Sequence, residues 1–199
     1  MLLKTHDIFT AGVLSLAGSF FIKNPVFNIS TAFILSFIGN HAIDILGHEK
    51  QIIERPAKSY GFFKRKKKEI EILPVRTYHT HSFLRGTICG FVPALILYIF
   101  FRHVKNIGNP ALPYPDTLNF ILIQGLLVGP AHLFLDSLTE GGIFVKRNGN
   151  WRKWSIANFK YNGLFVNLAT SLTGILCFVP FIPKNQFSNH LLILVKHII

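Results

Sequence analysis

Apolar residues fall into five long runs separated by short polar segments: Ile8 to Ile22, Val26 to Leu46, Phe83 to Phe101, Leu118 to Leu138 and Leu164 to Ile182. A helix crosses a bilayer with about 17–25 consecutive, mostly apolar residues. Four of the runs reach that length. The first, at 15 residues, reaches it only with Thr5 to Asp7 at the interface. It ends in Phe20-Phe21-Ile22-Lys23 without a small-residue cleavage site, so it is expected to persist as a span and not to be removed as a signal peptide. The last apolar stretch, Phe187 to Ile199, is 13 residues and is expected to lie on the membrane or against the bundle.

Two polar segments are long enough to carry structure of their own. The first, residues 49–78, contains Lys64-Arg65-Lys66-Lys67-Lys68 followed by the alternating Glu69-Ile70-Glu71-Ile72. The second, residues 139–161, places Asn148-Gly149 between two short alternating stretches, which predicts a β-hairpin with a two-residue turn. Trp151 and Trp154 in the same segment suit the headgroup level of a membrane. The fold expected is therefore an all-α integral membrane protein of about five transmembrane helices, one multispanning domain over residues 1–199, with a small β-hairpin in a cytoplasmic loop.

Composition strengthens the membrane reading. The chain is 50% apolar and only 15% charged, against roughly 25% charged in soluble domains. A disordered chain is excluded by the apolar content. A disulfide scaffold is excluded because Cys89 and Cys177 both fall inside apolar runs. The formal charge of +12 is unevenly spread. With the amino terminus inside, 16 of the 21 Lys and Arg fall on the cytoplasmic side. The positive-inside rule then orients the chain with its N-terminus cytoplasmic in an inner, cytoplasmic membrane.

Ionisable residues within or beside spans carry the most information, since they are costly in lipid. His6 and Asp7 open the first run. His41, Asp44 and His48 share one helical face as the second run ends. His79 and His81 precede the third, and His132 and Asp136 lie at i, i+4 near the end of the fourth. Four helix ends thus bring His or Asp to the same membrane face. The expected metal ligands are His6, Asp44, His48, His81, His132 and Asp136. A His/Asp set without thiolates favours Zn, with Mn or Fe as alternatives, and its spread over four helices allows two ions. Such a site activates water and clamps a phosphoryl group. Glu49 or Asp7 is available as a base, and Arg76 or Arg85 to neutralise developing charge. Arg85 has the plainer alternative of an interfacial anchor.

Thr80-His81-Ser82 ahead of an apolar span, followed by His132-Leu133-Phe134-Leu135-Asp136-Ser137-Leu138-Thr139-Glu140-Gly141-Gly142, resembles the LexA-regulated, inner-membrane-associated family of metal-dependent hydrolases. His6 with Gly12, and Asp44 with His48 closing the second span, fit the same pattern. The resemblance runs from about His6 to Gly163 and implies a small multispanning hydrolase with a cytoplasmic-side metal site. More distantly, the His-x-x-x-Asp arrangement is similar to zinc-dependent phospholipase C.

Three departures stand out. The His-Arg that often precedes Thr-His-Ser is absent unless His79 substitutes for it. The usual Asp-x-Asp-His is loosened to Asp44-Ile45-Leu46-Gly47-His48, a form more similar to an archaeal or viral branch. Phe165 and Asn167 stand where an acidic residue is expected.

The leading expectation is a membrane-embedded metal-dependent hydrolase acting at the cytoplasmic leaflet on a phosphoester or polar lipid headgroup. One alternative is a metal or proton transporter, disfavoured because the cluster lies at one face and few polar residues, Asn119 and Gln124 among them, continue across. The other is a membrane-anchored protein whose basic run, Lys64, Arg65, Lys66, Lys67 and Lys68, holds anionic lipid or, with less support, nucleic acid.

Overall fold

The computed structural model describes residues 2–22, 24–56, 68–106 and 115–181. The order is α1 (Leu3–Ser19), α2 (Pro25–Gly47), β1 (His48–Pro56), β2 (Lys68–Arg76), α3 (Phe83–Asn106), α4 (Pro115–Ser137), β3 (Ile143–Arg147), β4 (Asn150–Trp154) and α5 (Leu164–Leu176), followed by a 3₁₀ turn at Val179–Phe181. Four helical segments are long and apolar enough to cross a membrane: Pro25–Gly47, Phe83–Val104, Leu118–Ser137 and Leu164–Phe181. At 17 residues, α1 sits at the lower limit of crossing length. It starts earlier than the apolar run suggested, so His6 and Asp7 lie on the helix and not ahead of it. The tail from Phe187 and most of the basic run, Lys64 to Lys67, lie outside the described residues.

Helix α1 packs on α2, α4 and α5, while α2 also contacts α3 and α4. The most extensive helix contact is between α3 and α4. Gly86 and Gly90 on one helix face Gly125 and Gly129 on the other, a pair of small-x-x-x-small stripes. A Cβ on Gly129 would fall on the backbone of Gly86 and Thr87. Such stripes let helices meet at backbone contact, where dispersion and not water exclusion holds them. Gly12 meets Gly174 in the same way between α1 and α5.

Polarity in the bundle is inverted relative to a soluble protein. Phe33, Phe37, Ile96, Phe100, Leu164 and Phe165 are exposed on its outside. His6, Asn28, Asn40, Gln124, His132 and Asp136 are buried within it, alongside Leu14, Leu35, Ile43 and Val128. Away from the His/Asp cluster, Gln124 binds Thr31 Oγ1 (2.9 Å), Asn28 Oδ1 (2.8 Å) and the Leu14 carbonyl (3.3 Å). Asn28 in turn donates to the Ser15 carbonyl at 2.8 Å. This network satisfies itself.

Two antiparallel ribbons leave the bundle. β1 pairs with β2 in a register that sets His48 opposite Arg76 at its root. The alternation at Glu69 to Ile72 becomes β2, and its partner β1 starts directly at the end of α2. β3 pairs with β4 through Asn148 (φ 52°) and Gly149 (φ 80°), the two left-handed residues that a tight hairpin turn requires. The Phe144 amide donates to the His81 carbonyl at 2.7 Å, tying this hairpin to the entry of α3.

Candidate metal centre

Five elements deliver side chains to one point. His6 comes from α1, Asp44 from the last turn of α2, and His48 from the first position of β1. His81 comes from the turn before α3, and His132 and Asp136 from successive turns of α4. His6 Nε2 is 3.1 Å from Asp136 Oδ1, and His132 Nε2 is 3.2 Å from Asp136 Oδ2. His81 Nε2 lies 3.4 Å from Asp136 Oδ2 and 3.5 Å from Asp44 Oδ1. His132 Nε2 is also 3.5 Å from Asp44 Oδ1. The His6 and His132 rings stack at 4.2 Å. All six ligands expected from the sequence are therefore brought together.

They form two triads. His6, His132 and Asp136 are fully buried, whereas Asp44 and His48 of the second triad are half-buried and its His81 is buried. Within each, one ligand atom per residue lies within 4.8 Å of the others.

The unsatisfied atoms test whether a cation fits. His6 Nδ1 and Nε2, His81 Nε2, His132 Nε2 and Asp136 Oδ2 are buried and make no hydrogen bond of good geometry, and Asp136 Oδ1 has the Arg76 guanidinium as a close ion-pair partner. An unpaired buried polar atom costs about 1–3 kcal/mol. A bundle that satisfies Gln124 and Asn28 completely, yet gathers these orphans at one point, has the donor set that a divalent cation would satisfy.

The surroundings fix which nitrogen faces inward. Asn40 Nδ2 donates to Asp7 Oδ1 (3.0 Å) and reaches Ser36 Oγ (3.3 Å), so its Oδ1 is left to accept from His132 Nδ1 (3.1 Å). A proton thus sits on Nδ1, and Nε2 is the atom that faces Asp44 and Asp136 and would ligate. Thr80 Oγ1 donates to the Ile43 carbonyl at 2.6 Å and so accepts from His81 Nδ1 at 3.3 Å, with the same result. Burial pushes the His81 imidazole below its ordinary pKa, favouring the neutral form that ligation needs. A Cβ on Gly47 would strike Thr80 and His81, so that position must be glycine for the turn to sit against α2.

Arg76 reaches the cluster from the end of β2. Its Nη2 lies 2.6 Å from Asp136 Oδ1, and its Nη1 is held by Thr139 Oγ1 (3.2 Å) and the Gly142 carbonyl (3.3 Å). Glu49 does not join. Strand side chains alternate, so the position after His48 points away, and Glu49 is exposed outside both triads. Asp7 is likewise turned to Asn40 and not to the cluster centre.

His41 bonds the Phe37 carbonyl. His79 is exposed, stacks on Tyr78 at 4.4 Å and does not replace the missing histidine. Arg85 sits over Tyr78 and Trp151 at 5.1 and 5.5 Å, an anchor and not a site residue. Asn167 accepts from the Leu2 amide (3.0 Å) and Thr5 Oγ1 (2.9 Å), which makes it a clasp between α5 and α1. Asn40, Ser36 and Thr80 were absent from the sequence-based set, because neutral polar residues in apolar runs give no signal until packing shows their partners.

Fold and site together define a class: a helical bundle with apolar exterior, four segments long enough to cross a membrane, and an internal His/Asp cluster able to hold a metal ion. The chain belongs to the family described as protein of unknown function (DUF1286), whose model matches residues 1–135. That match spans every cluster residue except Asp136. No curated protein and no solved structure matches the chain.

Proposed function

We propose that this protein is a membrane-embedded, metal-dependent hydrolase whose site opens at the cytoplasmic leaflet and acts on a phosphoester, with a polar lipid headgroup as the natural substrate class. The observation that carries the reading is the convergence of buried imidazole nitrogens and carboxylate oxygens without hydrogen-bond partners at one place, the other such atoms among the described residues being the single hydroxyls of Thr10, Ser15 and Ser82. The basic loops support an orientation with the N-terminus and the site inside, by the positive-inside rule. The similarity to LexA-regulated inner-membrane hydrolases at His6, Asp44, His48, His81, His132 and Asp136 supports the same assignment.

His6, His132 and Asp136 would hold one ion and Asp44, His48 and His81 a second, with zinc the best match to the donor set. Bound there, divalent metal supplies Lewis acidity toward a phosphoryl oxygen and lowers the pKa of water. Asn40 and Thr80 hold the two imidazoles in the ligating tautomer. Arg76, with Nη1 steadied by Thr139 and Gly142 and Nη2 paired with Asp136 Oδ1, would set a positive charge beside the negative charge that grows on the phosphoryl oxygens. The half-buried Asp44 and His48 mark the open side by which a headgroup enters.

Transport receives less support. Beyond the cluster, the buried Gln124, Asn28 and Thr31 are bonded to one another and offer no chain of ionisable groups across the bundle.

The test is hydrolysis by the purified, metal-reconstituted protein, with bis(p-nitrophenyl) phosphate and mixed phospholipid micelles as probes. Activity is expected in the wild type, reduced about 10²–10³-fold in Arg76→Gln at unchanged metal content. Metal-loaded wild type inactive on every phosphoester offered would reject the hydrolase reading.

A further inference from the structure

The β3–β4 hairpin has one face that the bundle uses and one that it leaves bare. On the used face, Trp151 stacks on Tyr78 at 5.2 Å beneath Arg85. The register puts Val145 opposite Arg152 and Ile143 opposite Trp154 on the other face, with Arg147 diagonal to Arg152. Val145, Arg147, Arg152 and Trp154 are all exposed there, and with Lys153 they line a shallow cavity of about 420 Å³.

Two features say what covers this face. No acidic residue occurs between Ile143 and Lys160, so the hairpin itself supplies no counter-charge to Arg147 and Arg152. Like charges at diagonal strand positions repel, and an anion between them relieves that. The second feature is apolar continuity. Trp154 and Ile156 are half or more exposed, and the chain that follows exposes further apolar side chains at Phe159, Tyr161, Leu164 and Phe165 up to the start of α5. A soluble anion has no use for those side chains, whereas a phospholipid has both a phosphodiester and a glycerol-acyl region.

We infer that the bare face of the β3–β4 hairpin is a binding site for an anionic phospholipid, its phosphodiester between Arg147 and Arg152 and its glycerol-acyl region on Trp154 and Val145. The inference rests on the membrane placement proposed above and is independent of the metal cluster. The site is distinct from the Lys64 to Lys68 run.

The test is native mass spectrometry of the full-length protein in detergent, titrated with phosphatidylglycerol or phosphatidylcholine, for wild type and Arg147→Gln/Arg152→Gln. The double variant is expected to lose about 30-fold in phosphatidylglycerol affinity, from two basic contacts near the headgroup, with phosphatidylcholine retention and metal content unchanged. Trp154→Ala is expected to weaken both lipids. Wild-type phosphatidylglycerol binding in the double variant would overturn the site. Displacement of the lipid by millimolar inorganic phosphate would overturn it too, showing a soluble-anion site. Wild-type protein that holds no metal yet still prefers phosphatidylglycerol would count against the hydrolase reading alone and leave the lipid site standing.

Discussion

At the scale of single residues, the centre depends on side chains that never touch its middle. His132 and Asp136 were legible because i, i+4 spacing needs only a helix, and α4 runs unbroken through both. Asn40 was not legible: its role exists only once α2 packs beside α4 and Asp7 on α1 and Ser36 accept from its amide nitrogen. Replacing Asn40 with Leu removes the acceptor for His132 Nδ1 and frees the ring to choose its tautomer. Metal affinity is expected to fall about 10–100-fold, as for other partners of ligating histidines. A competition titration with a chromogenic zinc chelator measures it. Thr80→Val is expected to act in the same direction through His81. Unchanged affinity in both would mean that the imidazoles are oriented by packing alone. Glu49 teaches the converse. It looked available from its place beside His48, but strand alternation separates neighbours that a loop could have kept together.

At the scale of elements, the β3–β4 hairpin was readable from Asn148-Gly149, because a two-residue turn of that kind is a local backbone property. The β1–β2 ribbon was only half visible: Glu69 to Ile72 alternates, while β1 lacks an equivalent pattern and is defined by its pairing. The Gly86/Gly90 and Gly125/Gly129 stripes stand in the sequence at plain four-residue spacing, yet which helices they join is a tertiary fact. Gly129 lies three residues before His132, so the α3–α4 contact and the ligand share one turn of helix. Gly129→Ala is expected to cost about 1–3 kcal/mol through overpacking. Thermal unfolding in detergent measures that cost, and a parallel loss of metal affinity is expected as α4 is pushed off α3. A variant as stable as wild type would show that the two backbones are not in contact.

At the scale of the whole molecule, the decisive property is the inverted distribution of polarity. An apolar exterior is expensive in water and favourable in lipid, and a polar interior survives only where its groups pair with one another or with a ligand. The apolar runs made the helices legible, with ends displaced by a few residues where polar caps and short strands continue them. The charge asymmetry speaks to orientation. In a Cys89→Ser/Cys177→Ser background, single cysteines introduced as Lys4→Cys and Arg152→Cys are expected to react with a membrane-impermeant maleimide only after the membrane is opened, and Arg102→Cys in intact cells. The reverse labelling would place the cluster on the outer face and remove a cytoplasmic-leaflet substrate.

The central claim is that the His/Asp cluster holds metal, and elemental analysis of detergent-purified protein tests it most directly. Wild type is expected to carry two equivalents of zinc, one for each triad, with both lowered in His132→Ala/Asp136→Ala because Asp136 and Asp44 lie between the same imidazoles. Wild type that holds no zinc, manganese or iron, even after reconstitution with each, would contradict the account.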